Sequence, residues 1–156
     1  AAGIAGKVQG KTTIEEAFFV GNIQGYHKVG GLFGISYDDE VLIKNSYTRA
    51  NIEARYTLGE LGALGSAFEA GTIENCYSSS TIDGRGLLFY DDWGTITDTY
   101  WDNSCNNQTP CDTSFESFAL SGDEMLWKGS YSNWDFENIW EIEDGKTYPY
   151  LKWEKN

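Results

Sequence analysis

Short apolar runs separated by glycine and small polar residues set the rhythm of this chain. Four segments superpose without gaps: Ile14-Glu15-Glu16-Ala17-Phe18, Ile43-Lys44-Asn45-Ser46-Tyr47, Ile73-Glu74-Asn75-Cys76-Tyr77 and Ile96-Thr97-Asp98-Thr99-Tyr100. The first three continue to a further isoleucine, at Ile23, Ile52 and Ile82, and their aromatics are followed by the next at spacings of 29, 30 and 23 residues. Each of the three is preceded by a glycine-bounded apolar motif: Gly3-Ile4-Ala5-Gly6, Gly31-Leu32-Phe33-Gly34 and Gly62-Ala63-Leu64-Gly65. Runs this short, β-branched and aromatic, bounded by Gly, Asn, Asp and Ser, read as strands. The period is too short for a propeller blade of about 40–50 residues, and it lacks the helix pairs or leucine ladder of other repeat classes.

The pattern predicts an all-β chain: a right-handed parallel β-helix of about three to four coils over residues 1–100. Residues 101–156 are expected to form an aromatic-rich C-terminal cap with one short helix and a disulfide loop. Stacked coils put equivalent residues in columns, pairing each backbone group with the coil above or below. Ile14, Ile43, Ile73 and Ile96 would form one ladder, and Phe18, Tyr47, Tyr77 and Tyr100 a second of offset-stacked rings. The small residues Ala17, Ser46, Cys76 and Thr99 fill a third column. Glu16, Asn45, Asn75 and Asp98 mark a bend, where a short polar side chain can bond nearby backbone. A bend there resets the two-residue alternation of a strand, so the pattern leaves open which columns face inward. The glycine motifs mark close approach or positive φ.

The Gly31-Leu32-Phe33-Gly34 motif and the Asn45-Ser46-Tyr47 motif resemble the GLUG repeat of large surface proteins, including putative adhesins and some bacterial immunoglobulin A-cleaving metalloproteases. The resemblance covers about residues 3–100, and more weakly the Trp134-Asp135-Phe136 and Tyr148-Pro149-Tyr150-Leu151 stretches. It implies a stalk, an adhesin or a spacer. The protease signature is not part of the likeness, because no His-Glu-x-x-His occurs.

After Tyr100 the period ends. Ser121-Gly122-Asp123-Glu124 has the form of a capping box, Met125-Leu126-Trp127 supplies an apolar face and Gly129 a stop, so a helix near 122–128 is expected. A turn at Gly145 and an extended strand through Trp153 follow. Five of the six tryptophans lie after residue 100. They suit a cover for the exposed last coil, with a sugar-binding platform as the sharper alternative.

Charge narrows the partners. Eleven Lys and Arg against 24 Asp and Glu give a net charge of −13, which repels nucleic acid and anionic membranes. No run reaches the roughly 18–20 apolar residues of a membrane span, so membrane insertion is not expected, and no signal peptide is visible. Cys105 and Cys111 frame a polar loop suited to a short disulfide; zinc would need further ligands. A disulfide implies an oxidising, extracellular or cell-surface setting. Cys76, within a strand-like run, reads as a buried free thiol.

Candidate chemistry is sparse. Asp38, Asp39, Glu40, Asp91 and Asp92 are weak calcium candidates, because their spacing matches no calcium loop; otherwise no cofactor is indicated. Glu141, Glu143 and Asp144 form another acidic cluster, and His27 sits in a polar tip. No carboxylate pair or nucleophile–base set is assignable, so no catalytic residue is named. The leading expectation is a structural or adhesive extracellular module of a cell-surface or filament protein. Carbohydrate binding or cleavage is the alternative, and a non-catalytic part of a larger surface protease the third. Ile4, in an uncovered first repeat, marks an assembly face. Its expected partners are more β-helix of the same chain or neighbouring subunits head-to-tail, and surface glycans.

Overall fold

The computed structural model describes residues 1–55, 60–82, 87–103 and 119–155, with the backbone only for 87–92. The first repeat contributes β1 (Ala5–Val8), β2 (Thr12–Glu15) and β3 (Phe18–Gly25). The second contributes β4 (Lys28–Gly30), β5 (Phe33–Ser36), β6 (Val41–Lys44) and β7 (Tyr47–Ala54). From the third come β8 (Glu60–Phe68), β9 (Thr72–Glu74), β10 (Tyr77–Ser78) and β11 (Thr81–Ile82). The fourth holds β12 (Leu87–Asp92), β13 (Thr95–Thr97) and β14 (Tyr100–Asp102). After these come β15 (Ala119–Leu120), β16 (Trp140–Glu141) and β17 (Tyr150–Leu151).

Equivalent strands of successive repeats pair in parallel. One sheet runs β1-β5-β8-β12, with β4 also on β8; a second runs β2-β6-β9-β13; a third joins β3, β7, β10, β11, β14 and β15. Strands β16 and β17 form a separate antiparallel pair. The register places Ile14 opposite Ile43, Ile43 opposite Ile73, and Ile73 opposite Ile96. Phe18 lies opposite Tyr47, Tyr47 opposite Tyr77, and Tyr77 opposite Tyr100.

The right-handed parallel β-helix is overturned. Among the described residues the sheets are both parallel and antiparallel, one curves as a half-barrel, and none forms a solenoid. A sequence period dictates which residues pair along a ladder; it says nothing about how the sheets close or with which hand. The ladders are also irregular, since the register shifts between Leu87 and Phe89 in β12. The single cap helix is corrected too. Two 3-10 turns, Glu124–Leu126 and Lys128–Ser130, take its place, and a third spans Lys152–Lys155. Ser121 and Glu124 do exchange capping-box hydrogen bonds, 3.2 Å from the Glu124 N–H and 2.8 Å to the Glu124 carboxylate. Gly129 lies within the second turn and is no stop. The expected C-terminal strand is only β17.

Two apolar clusters hold the chain. The first gathers the isoleucines with Leu32, Phe33, Leu64 and Phe68 between the parallel sheets. Ile43 and Ile73 are fully buried, whereas Ile14 and Ile96, with a ladder neighbour on one side only among the described residues, are partly buried. The second cluster, centred on Tyr47 and Tyr77, lies on the opposite face of the third sheet.

The switch between faces occurs at one residue per repeat. Glu16, Asn45, Asn75 and Asp98 have φ of 47, 48, 52 and 44°, the left-handed region that Asn and Asp tolerate best. This corner turns the chain, so the isoleucine before it points in and the aromatic after it points out. Side chains of the next column stitch neighbouring repeats: Ser46 Oγ accepts from the Ala17 N–H at 3.1 Å, and Thr99 Oγ1 from the Cys76 N–H at 3.3 Å. In the second and third repeats the glycine motifs serve close approach, not positive φ. A Cβ on Gly31 would collide with the Ala63 carbonyl, and one on Gly62 with that of Gly65.

Candidate ligand-binding face

The outward face of the third sheet divides into two strips. Alternation along β3 sends Phe18, Val20 and Asn22 outward; along β7 it sends Tyr47, Arg49 and Asn51; beyond β10 it sends Ser79 and Thr81. The aromatic strip is closed. Phe18 stacks on Tyr47 at 5.1 Å and Tyr47 on Tyr77 at 4.9 Å between ring centres, each within 10° of parallel. Tyr148 stacks on Tyr77 at 6.3 Å, Trp140 tilts against both Tyr47 and Tyr77, and Trp134 against Tyr77.

Polar tips tie this strip to the C-terminal segment. The Tyr77 hydroxyl donates to the Pro149 carbonyl at 2.6 Å, and the Tyr47 hydroxyl to the Glu154 carboxylate at 2.9 Å. Trp134 Nε1 donates to the Asp98 carbonyl at 2.8 Å, and the Tyr148 hydroxyl to Asp102 at 2.7 Å. Trp153 packs 5.6 Å from Phe18. The C-terminal aromatics therefore cover the flank of all four repeats, where the sequence suggested the end of the last one. Burial pushes the Tyr47 hydroxyl up to about 12, against the pull of Arg49, and holds the Tyr77 hydroxyl well above its ordinary value.

The second strip is open. Val20, Asn22, Arg49, Asn51, Ser79 and Thr81 line a shallow trough of about 350 Å³. Asn51 Nδ2 donates to Asn22 Oδ1 at 2.9 Å, a rung between repeats. Arg49 lies 4.6 Å over the Tyr47 ring and donates to its hydroxyl at 2.9 Å, so the trough wall connects through Tyr47 to Glu154. Val20 is 57% exposed, and Trp153, next to Glu154, is 47% exposed. The residues lining the trough were not singled out from the sequence. The available signal was Asn22-Ile23, Asn51-Ile52 and Thr81-Ile82, a polar residue before each second isoleucine.

The acidic candidates do not converge. Asp38, Asp39 and Glu40 are exposed in one turn, where Asp38 accepts from the Gly10 N–H at 2.6 Å. Asp91 and Asp92 end β12, and their side chains lie outside the described residues. Among the described residues no three His, Cys, Asp or Glu side chains are grouped to hold a metal ion. Glu141 pairs with Lys155 at 2.8 Å, and Asp144 accepts from the Lys128 N–H at 2.7 Å. His27 stands 3.9 Å from Glu60 with half its side chain exposed. Cys105 and Cys111 lie outside the described residues. Cys76 is a free, buried thiol, and burial pushes it up to about 12. Ile4 is 43% exposed. Compared with known proteins, the chain has no match to a family model, a curated protein or a solved structure.

Proposed function

We propose that this chain is a structural and adhesive repeat module of a cell-surface or extracellular protein, related to the GLUG-repeat proteins and without catalysis of its own. The observation that supports the reading is the edge of the first repeat. Strands β1, β2 and β3 each have a partner on one side only among the described residues. In β3 that edge runs for eight residues. Ile4 and Val20 are exposed beside it, and Ile14 is less buried than Ile43. An unpaired parallel edge is a template for another strand, and the strands that match its register are further copies of the same repeat.

The partner in this reading is therefore another set of these repeats, in the same chain or a neighbouring copy, added head-to-tail. Charge favours such a join. Lys7, Ile35, Ala67 and Asp91 share one register column, so joining a fourth repeat to a first brings position 91 beside position 7, one acidic and the other basic. A head-to-tail contact that does not close yields a filament.

Sedimentation velocity across a concentration series tests the proposal. The expected result is concentration-dependent growth that Ile4→Asp and Lys7→Glu each suppress while the thermal midpoint stays within a few degrees. A single monomer species at every concentration would overturn it, as would association that both variants leave intact.

A further inference from the structure

We infer that the trough on the third sheet is a binding site for a neutral saccharide chain, a step that rests on the adhesive part of the proposed function and specifies what is held. The floor of the trough lies between β3 and β7, whose facing backbone groups pair with each other, so a peptide cannot add there as a strand, which needs free N–H and C=O groups; the unpaired groups of β3 lie on its far edge, outside the trough. What remains is side-chain chemistry: two amides, two hydroxyls and one guanidinium, with Val20 as an apolar patch.

Charge selects among polar ligands. The lining contains no carboxylate and one cation, Arg49, which the Tyr47 hydroxyl links to Glu154. That local balance gives an anion little net attraction, and the whole chain, at −13, repels it. A cation meets Arg49 itself. An apolar ligand would want a predominantly hydrophobic lining. A neutral polyhydroxyl compound suits all three constraints.

Geometry favours a chain over a single sugar. Equivalent positions in paired strands repeat about every 4.8 Å, comparable with the length of one pyranose, so Asn22, Asn51 and Thr81 offer a polar group at each step across three repeats. Asn22 Oδ1 and Asn51 Nδ2 bind each other, which orients the two amides and leaves the Asn22 nitrogen and the Asn51 oxygen for hydroxyl groups. The exposed Trp153 follows from the same frame. Trp153 packs on Phe18, two residues before Val20 in β3, and its exposed part offers an aromatic surface to a chain that runs past Val20.

The test is affinity electrophoresis of the whole chain in gels containing dextran, laminarin, galactomannan or, as the acidic counterpart, polygalacturonate. At least one neutral polymer should retard the protein, polygalacturonate should not, and Asn22→Ala with Asn51→Ala should weaken retardation at least tenfold. Both side chains are exposed, so the melting midpoint should hold; Asn51→Lys, which fills the trough, is the second variant and should abolish retardation. Trp127→Ala, exposed elsewhere, should change nothing. Equal retardation of the wild type and the trough variants, stronger retention by polygalacturonate, or no retardation by any neutral polymer would each overturn the inference. Sedimentation of the same variants keeps the two proposals apart, because loss of saccharide binding with intact association refutes only this one.

Discussion

The left-handed corner gives a prediction whose sign differs between repeats. Four residues at equivalent positions hold φ between 44 and 52°. An ordinary L-residue pays about 1–2 kcal/mol for that conformation, and Asn or Asp less because of its short polar side chain. Three repeats use Asn or Asp, whereas the first uses Glu16. Glu16→Asn should therefore raise stability by about 0.5–1 kcal/mol, and Glu16→Gly by somewhat less, because glycine also loosens the unfolded chain. Asn75→Ala should lower it by about 1 kcal/mol for the reverse reason. Asn45 differs again. Its Oδ1 is buried without a hydrogen-bond partner, an unfavourable state, so Asn45→Gly should be neutral or stabilising. Asp98 accepts from Asn133 Nδ2 at 3.0 Å, and Asp98→Gly should be destabilising. Urea unfolding followed by tryptophan fluorescence measures these differences, with Asp39→Asn as control for removing one negative charge. For a chain of this size 1 kcal/mol moves the thermal midpoint by about 2–4 °C. If Glu16→Asn destabilises, or Asn75→Ala matches the wild type, the corner does not carry the strain assigned to it.

Ile43→Ala should cost about 2–5 kcal/mol as a core truncation, and Ile14→Ala clearly less because Ile14 is only partly buried; equal losses in urea unfolding would show that the first repeat is covered in solution. Tyr77→Phe leaves the buried Pro149 carbonyl without its donor and should cost about 1–3 kcal/mol, whereas a neutral result would remove the C-terminal segment from the tyrosine strip. Burial raises the Tyr47 hydroxyl and the Cys76 thiol to about 12, above their unfolded values near 10 and 8.5. Their contribution is complete below those unfolded values and is lost as pH rises toward 12. Stability should accordingly fall in alkaline urea titrations, with Cys76 resisting a thiol reagent until the chain unfolds; a flat profile from pH 8 to 12 would contradict this.

Register was legible in the sequence because it depends on spacing. An isoleucine, a corner residue and an aromatic recur in fixed order, and the pairing of Ile14 with Ile43 and of Phe18 with Tyr47 follows the same ungapped alignment. Direction was not legible. With Glu16, Asn45, Asn75 and Asp98 in the left-handed region, the alternation on one side of the corner says nothing about the other. The sheet arrangement was misjudged because the period is silent about closure and hand. The trough was missed for another reason: Asn22, Asn51 and Thr81 look like ordinary solvent-facing strand residues until it is clear that the neighbouring strip is covered and theirs is not.

That division of one sheet face has a mechanical consequence. In a stack of repeats each unit contacts its neighbours, and stability is roughly a sum of nearest-neighbour terms. Here the C-terminal segment contacts Phe18 through Trp153, Tyr47 through Glu154, Tyr77 through Pro149 and Asp98 through Trp134, so one stretch of chain touches all four repeats. The first repeat, with its open edge and partly exposed Ile14, would otherwise be the first to fray. Covering the aromatic strip ties that weak end to the fully buried middle. It does so without occupying the polar strip or the edge of β1, β2 and β3, which leaves the trough proposed for a saccharide and the edge proposed for assembly open on a scaffold braced from the side.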